Sequence, residues 1–357
     1  MIDTLHIENF RCFKSLDLPA LRRINVIVGK NASGKSALLE GVKIALDAFP
    51  GVLPWLNNFR SVPTFLPPNP TTEQFQSLFL DFFHEFNVHE QIVTFVRDSE
   101  GRTASLRIQF DPKRAVTSQP GLGFQPQPPP PVTIVPLAFE RTDFQGQKSA
   151  PCATINPQGQ LFLEPARPMG ISSGLISNTY FGGPGENAQW LSQLSVEKRS
   201  GEVLDAIQRH FPFIRAVTSE TSYPGISTVY ADLPDLPRKL PLSVVSSGIS
   251  RLFTFILSIV QQTHGVVLID EIENGIFHDR YQLVWETVAD LARRHDTQLF
   301  ITTHSKECLR AAVPIIAKAM GDFSLLRINR ERASSTVEFF GGEQMEAALE
   351  KNGEVRD

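Results

Sequence analysis

Residues 25–46 read NVIVGKNASGKSALLEGVKIAL: an apolar strand, a glycine-containing loop and a helical pattern in direct succession. Within them Gly29 to Ser36 fits G-x-x-x-x-G-K-[ST], a match that average residue usage produces by chance in about one chain in a hundred of this length. The strand before it and the helix after it are the context that gives the motif meaning. Gly29 and Gly34 permit backbone angles that turn successive N–H groups inward, a nest for phosphate oxygens. The binding residues expected from this are Gly29, Lys30, Asn31, Ala32, Ser33, Gly34, Lys35, Ser36 and Ala37. A helix starting near Lys35 adds its positive dipole end to the same anion. Lys35 can reach the β- and γ-phosphates, and the Ser36 hydroxyl can ligate Mg²⁺. An ordinary glycine turn capping a helix is the alternative, and the flanking strand and helix argue against it. The stretch reads as a nucleotide site.

Such a site needs acids, and GVVLIDEIENG (265–275) offers three. A buried strand running into adjacent carboxylates is costly unless each charge finds a partner. An acid at the tip of a parallel strand beside a P-loop holds magnesium, often through water, and Asp270 suits that work. Glu271 points along the loop, where a water would attack the γ-phosphate, and is the candidate to orient or deprotonate it. Glu273 reads as a solvated loop acid. The other reading of all three is an acidic turn on a strand leaving the core. Further on, TQLFITTHSKECL (297–309) is an apolar strand ending in His304, which can hydrogen-bond the γ-phosphate and sense its loss. Its bland counterpart is a helix start capped by Ser305. PLSVVSSGISRLFTFILSIVQQ (241–262) sets Ser246, Ser247 and Gly248 before an amphipathic helix, as an anion-contacting turn or a simple N-cap.

The remaining composition limits the partners. A 357-residue chain, 41% hydrophobic and 20% charged, reads as soluble and globular. No apolar stretch approaches the roughly 20 residues of a membrane span. Cys12, Cys152 and Cys308 are scattered and odd in number, so a reducing cytoplasm is expected. A net charge of −4 supplies no global field for nucleic acid.

Along the chain, residues 1–48 give a strand pair, the P-loop and its helix. A helical pattern near 71–85 opens on a capping box of Thr71 and Gln74. Alternation at 91–97 and 104–110 predicts a hairpin around DSEGR, and SQPGLGFQPQPPPP (118–131) a polyproline-leaning loop. Residues 186–210 look helical and 213–231 like strands. From 241 the order is helix, strand, helix, strand, helix, strand, the pattern of a mainly parallel α/β sheet. The expected domains are a nucleotide-binding core, 1–48 with 241–357, and an inserted lobe, 49–240, without heptads.

Together LHIENFRCFKSLDL, GKNASGKSALLEG, SVVSSGISR, VLIDEIENGIFH and FITTHS resemble the ABC-type ATPases of the SMC/RecF/OLD-like group, often filed as AAA domains. The resemblance implies a P-loop α/β head with an antiparallel β subdomain, binding ATP and Mg²⁺. It implies Asp270 as magnesium acid, Glu271 as catalytic base and His304 as switch histidine. It further implies that Ser247 and Gly248 contact the γ-phosphate of ATP on an opposite protomer, in a head-to-tail homodimer with two ATP molecules between the subunits. The signature here is SSGIS rather than the transporter form LSGGQ. Arg11 of NFRCF could contact nucleotide or be a solvated arginine beside a strand, and the second reading is preferred. Asn274 and His278 stand where the family's loop communicates across the dimer, and a local turn is the other reading. No TOPRIM nuclease cluster is visible, so a nuclease or other effector is expected to be a separate polypeptide, with DNA a possible partner and membrane not. The implied role is an ATP-hydrolysing switch in prokaryotic defence or DNA maintenance. A transporter ATPase subunit and a slow-turnover scaffold or DNA clamp share the same site chemistry.

Overall fold

The P-loop strand, Ile24–Gly29, is buried along its whole length because it lies inside a six-stranded sheet. The spatial order is Ser173–Ile176, Val266–Ile269, Gln298–Thr302, Ile24–Gly29, Phe323–Glu331, Ser334–Gly341. The first five run parallel, and the last turns back antiparallel. The register pairs Ile269 with Ile301 and Thr302 with Ile27, so the acid strand, the His304 strand and the P-loop strand end side by side. Ligands of parallel α/β sheets bind at that carboxyl edge. The computed structural model describes residues 1–118, 132–177, 184–223, 225–332, 334–341 and 344–345. The predicted proline-rich loop therefore lies almost wholly outside the described residues.

Alternate residues of the sheet feed two cores. Val26, Val267, Ile269, Leu299 and Ile301 pack against the helices Ser247–Gln261, Tyr281–Arg294 and Lys306–Lys318. Ile27, Val266, Leu268 and Phe300 face the P-loop helix, Lys35–Asp47. Beyond that helix lies an eight-stranded antiparallel sheet built on the hairpin Ile2–Phe10 and Phe13–Leu18. The P-loop helix is thus covered on both sides, and even its Glu40 and Lys43 are buried. Lys43 meets Asp47 at 2.8 Å and the Ser173 carbonyl at 2.8 Å, so its charge is not left unpaired.

Several expectations are met in detail. Thr71 and Gln74 form the reciprocal capping box, and Ile92–Asp98 pairs with Thr103–Phe110 across the predicted turn. Helices Pro184–Val196 and Ser200–His210 precede strands Ala216–Tyr223 and Ile226–Asp232. The alternation of helix and strand from 241 is also as expected. The 71–85 pattern is not one helix. It is helix Thr72–Ser77 followed by two 3₁₀ turns, because Glu85 and Phe86 adopt left-handed backbone while Phe79, Phe82 and Phe83 are buried. The stretch 49–240 contributes to both large sheets: Ile92–Asp98 pairs with Ile2–Phe10, and Ser173–Ile176 forms the edge of the parallel sheet. Period-two alternation marks a half-buried strand but does not name its neighbour.

Trp285 is fully buried, and its indole N–H donates to the Cys308 carbonyl at 2.9 Å, tying helix Tyr281–Arg294 to Lys306–Lys318. Trp285→Ala is expected to cost about 3–5 kcal/mol of unfolding free energy. Urea titration measures this, and a loss under about 1 kcal/mol would mean that the two helices are not held by this core.

Candidate nucleotide site

The P-loop turns as its glycines require. Gly29 has φ 154° and Gly34 φ 113°, and Gly34 leads directly into the helix at Lys35. A Cβ on Gly34 would stand 2.6 Å from Cys12 Sγ and 3.3 Å from Phe13, so both the backbone angle and the space demand glycine. Ala32 also takes a positive φ of 60°. The Lys35 ammonium donates to the carbonyls of Gly29 and Lys30, each at 2.9 Å, and is held across the loop it must serve.

A pocket of about 480 Å³ opens over this loop. Asn31, Ala32, Gly34, Lys35, Ser36 and Ala37 line it from below, and Asp270, Glu271 and His304 from the strand tips. Gly29, Lys30 and Ser33 are not among the residues of that lining. The first two give carbonyls to Lys35, and the Ser33 carbonyl accepts from Ser335 Oγ at 2.7 Å. Ser36 Oγ donates to Asp270 Oδ2 at 2.9 Å, which sets a hydroxyl and a carboxylate together as hard oxygen donors of the kind Mg²⁺ prefers. Thr302 Oγ1 donates to Asp270 Oδ1 at 2.6 Å and accepts the Glu271 N–H at 2.7 Å, fixing both acids to the neighbouring strand. Glu271 has left-handed backbone, φ 53°, an uncommon conformation for glutamate and one that clusters at functional sites. Burial, and next the charge of Asp270, push its carboxyl above the usual range, toward the poise of a general base.

Ser247 and Gly248 are not part of this pocket. They form the first turn of helix Ser247–Gln261, with Ser246 as its N-cap, and Ser247 is exposed. Gly248 instead abuts the loop after the acids: a Cβ there would meet the Gly275 carbonyl at 2.3 Å. Glu273 is a correction. It is 5% exposed rather than solvated, and it accepts the backbone N–H groups of His304 at 2.7 Å and Ser305 at 3.0 Å. Arg11 is a second correction. Its Nε lies 2.5 Å from Glu40 Oε2, its guanidinium sits 4.5 Å over the Phe82 ring, and it lines the pocket.

Two family models match the chain in succession: "AAA ATPase domain" over residues 1–178, and "AAA domain, putative AbiEii toxin, Type IV TA system" over residues 161–310. The chain belongs to the SMC/OLD-like ABC-type AAA ATPases. This AAA domain is 23% identical over 356 positions to an ATP/GTP phosphatase of Helicobacter pylori, with 88% of each chain covered. It is 36% identical to an OLD nuclease of Thermus scotoductus over 66 residues, 18% of this chain and 12% of the relative. The solved SMC head bound to the C-winged helix domain of ScpA shares the fold: TM-score 0.51, 13% identity, covering 96% of this chain and 98% of that one.

Four groups of the AAA domain's site escape sequence reading. Arg60 and Arg330 line the pocket. Glu40 of the P-loop helix holds Arg60 at 2.6 Å as well as Arg11, so one buried carboxylate steadies two guanidinium groups. Arg251, 3% exposed, donates to the carbonyls of Asp270 at 2.7 Å and Glu271 at 2.9 Å, joining helix Ser247–Gln261 to the acid loop. A lone arginine carries no spacing signal. Glu40 could have been suspected, since a charge one turn past a P-loop lysine sits on a helix that must be covered on both faces. Among the described residues no helix is long and apolar enough to cross a membrane.

Proposed function

We propose that the chain is a Mg²⁺-dependent ATP-hydrolysing switch that closes as a head-to-tail homodimer around two ATP molecules. The observation that carries this reading is the convergence of Ser36, Asp270, Glu271 and Lys35 on one pocket while Ser247 stays outside it, exposed. A single copy supplies the phosphate cradle, the metal donors and the base, and a second copy would supply the signature turn.

Lys35, Arg11, Arg60 and Arg330 bring positive charge to the triphosphate, with the loop N–H groups binding its oxygens. Ser36 and Asp270 would hold Mg²⁺, which supplies Lewis-acid neutralisation of phosphate charge when bound. Glu271 orients the attacking water and accepts its proton, and His304 hydrogen-bonds the γ-phosphate until it leaves. In this scheme 1–48 and 241–357 carry the chemistry, and 49–240 transmits its state. A match to a toxin family of type IV toxin–antitoxin systems and a segment shared with an OLD nuclease support a role in prokaryotic defence or DNA maintenance. We take the output to be a separate effector or DNA, and the setting to be cytoplasmic.

Ser247→Arg tests the composite site, because an exposed position tolerates the change within one copy. The expected result is ATP affinity of single chains within about threefold of wild type, no ATP-dependent dimer in solution-mass measurements, and turnover lowered about 100-fold or more. Unchanged dimerisation and turnover would exclude the head-to-tail arrangement.

A further inference from the structure

Three acids stand at the tips of the central strands, and two of them, Asp270 and Glu271, line the nucleotide pocket. Glu273 does not. Beyond the left-handed backbone at Glu271, the chain carries the Glu273 side chain toward the strand bearing His304. One oxygen of Glu273, Oε1, accepts the two backbone N–H groups of residues 304 and 305. The same oxygen lies 2.9 Å from His304 Nδ1, a close approach at an angle outside hydrogen-bond geometry, and Glu271 Oε1 is 3.6 Å from that nitrogen, so the buried Nδ1 faces carboxylate oxygens only. A carboxylate this deeply buried is costly unless its charge is answered. Here two backbone N–H groups at the opening of helix Lys306–Lys318 answer Oε1, with the imidazole edge beside it, and among the described residues Oε2 has no hydrogen-bond partner.

We infer that Glu273 is the positioning residue of His304: it fixes the turn that presents the ring and keeps the ring proton on Nδ1, so that Nε2 is the nitrogen offered to the pocket. The chemistry follows from what each group can do. A carboxylate only accepts, so an imidazole nitrogen set against it retains its hydrogen, and the other nitrogen is left with its lone pair or, in the cation, a second N–H. His304 is itself 44% exposed at its side chain, and among the described residues none hydrogen-bonds its Nε2. The constraint comes from beneath. Ile272 N–H donates to the Thr302 carbonyl at 3.2 Å, so the acid loop and the histidine turn move as one piece, and a change at the γ-phosphate would reach both together. The kinetic part of this inference rests on the proposed role of His304, whereas the proton's location does not.

The test separates the two. In the chain labelled with ¹⁵N-histidine, at a pH where the ring is neutral, the His304 signals are identified by their loss in His304→Ala. The expected form is Nδ1–H in the wild type and in Glu273→Gln, whose amide oxygen still accepts. In Glu273→Met the proton moves to Nε2, the form that free imidazole side chains prefer. Glu273→Asp, one methylene short, serves where the Met chain does not fold and is expected to shift in the same direction. An Nδ1–H ring in the Met or Asp chain would overturn the inference, whether or not the wild type hydrolyses ATP. Alongside it, Glu273→Met should lower kcat about 10- to 100-fold with KM for ATP changed less than about threefold, and should cost nothing further in the His304→Ala background. Losses that add in the double variant would mean Glu273 acts independently of His304, which also overturns it.

Discussion

Glu271→Gln is expected to lower kcat by about 10²- to 10⁴-fold while leaving ATP binding intact, and to accumulate an ATP-bound dimer. The substitution removes a proton acceptor and little else. Its backbone N–H is held by Thr302 Oγ1 and its carbonyl by Arg251, so the turn keeps its shape whatever the side chain. Burial and the adjacent Asp270 raise the carboxyl above the usual glutamate range. The base form is therefore lost on the acid side at a higher pH than an ordinary glutamate would give, and kcat/KM should fall there. That acid limb should be missing from the residual activity of the Gln variant. Linkage gives the companion sign. A folded-state pKa above the unfolded one means the native chain binds the proton more tightly, so its contribution to stability falls as pH rises through that interval. The neutral glutamine escapes that cost, and the variant should melt no lower than wild type at neutral pH. Phosphate release with solution mass in Mg-ATP decides the matter, and a variant that turns over as fast as wild type removes Glu271 from the role of base.

Lys35→Ala should weaken ATP binding by about 3 kcal/mol, about 150-fold. The residue is only 9% exposed, and its ammonium is already positioned by two loop carbonyls at 2.9 Å, so phosphate meets a charge whose ordering cost has been met in folding. Removing it also takes the tether from the Gly29 and Lys30 carbonyls, which loosens the nest. Titration calorimetry with a non-hydrolysable ATP analogue measures the loss. An affinity within about threefold of wild type would place the triphosphate elsewhere than over this loop.

What could be read in advance divides along a physical line. Local grammar was legible: the P-loop, the acids at a strand tip, the Thr71–Gln74 box and the hairpin around DSEGR are each written within a few neighbouring residues. The succession of helices and strands from 241 onward followed from the local patterns, whereas their order in the sheet did not. Glu273 was misread because a carboxylate two residues past Glu271 looks solvent-facing until the backbone at 271 turns left-handed. Arg11 was misread because its partners, Glu40 and Phe82, lie far along the chain and meet it only in the fold. The 71–85 pattern misled for another reason: closely spaced phenylalanines mimic one helical stripe, whereas each fills its own place between sheet and helix. Ser247 and Gly248 mark a limit of a different kind, since their proposed work needs a second copy.

The strand Ile24–Gly29, made early in synthesis, hydrogen-bonds on one side to Gln298–Thr302 and on the other to Phe323–Glu331. The Gln298 side chain also receives the Ile2 N–H and donates to the Ile2 carbonyl, tying the strand Ile2–Phe10 to the strand Gln298–Thr302. The antiparallel sheet, by contrast, draws all its strands from residues up to Leu163 and can form while the ribosome is still at work. Loop closure over such separations is slow and is met only when both partners exist. Until then an apolar strand stands with both edges open, a template for wrong pairing. The strand that carries the P-loop therefore gains both its neighbours only after Phe323–Glu331 has been made, later than every strand of the antiparallel sheet.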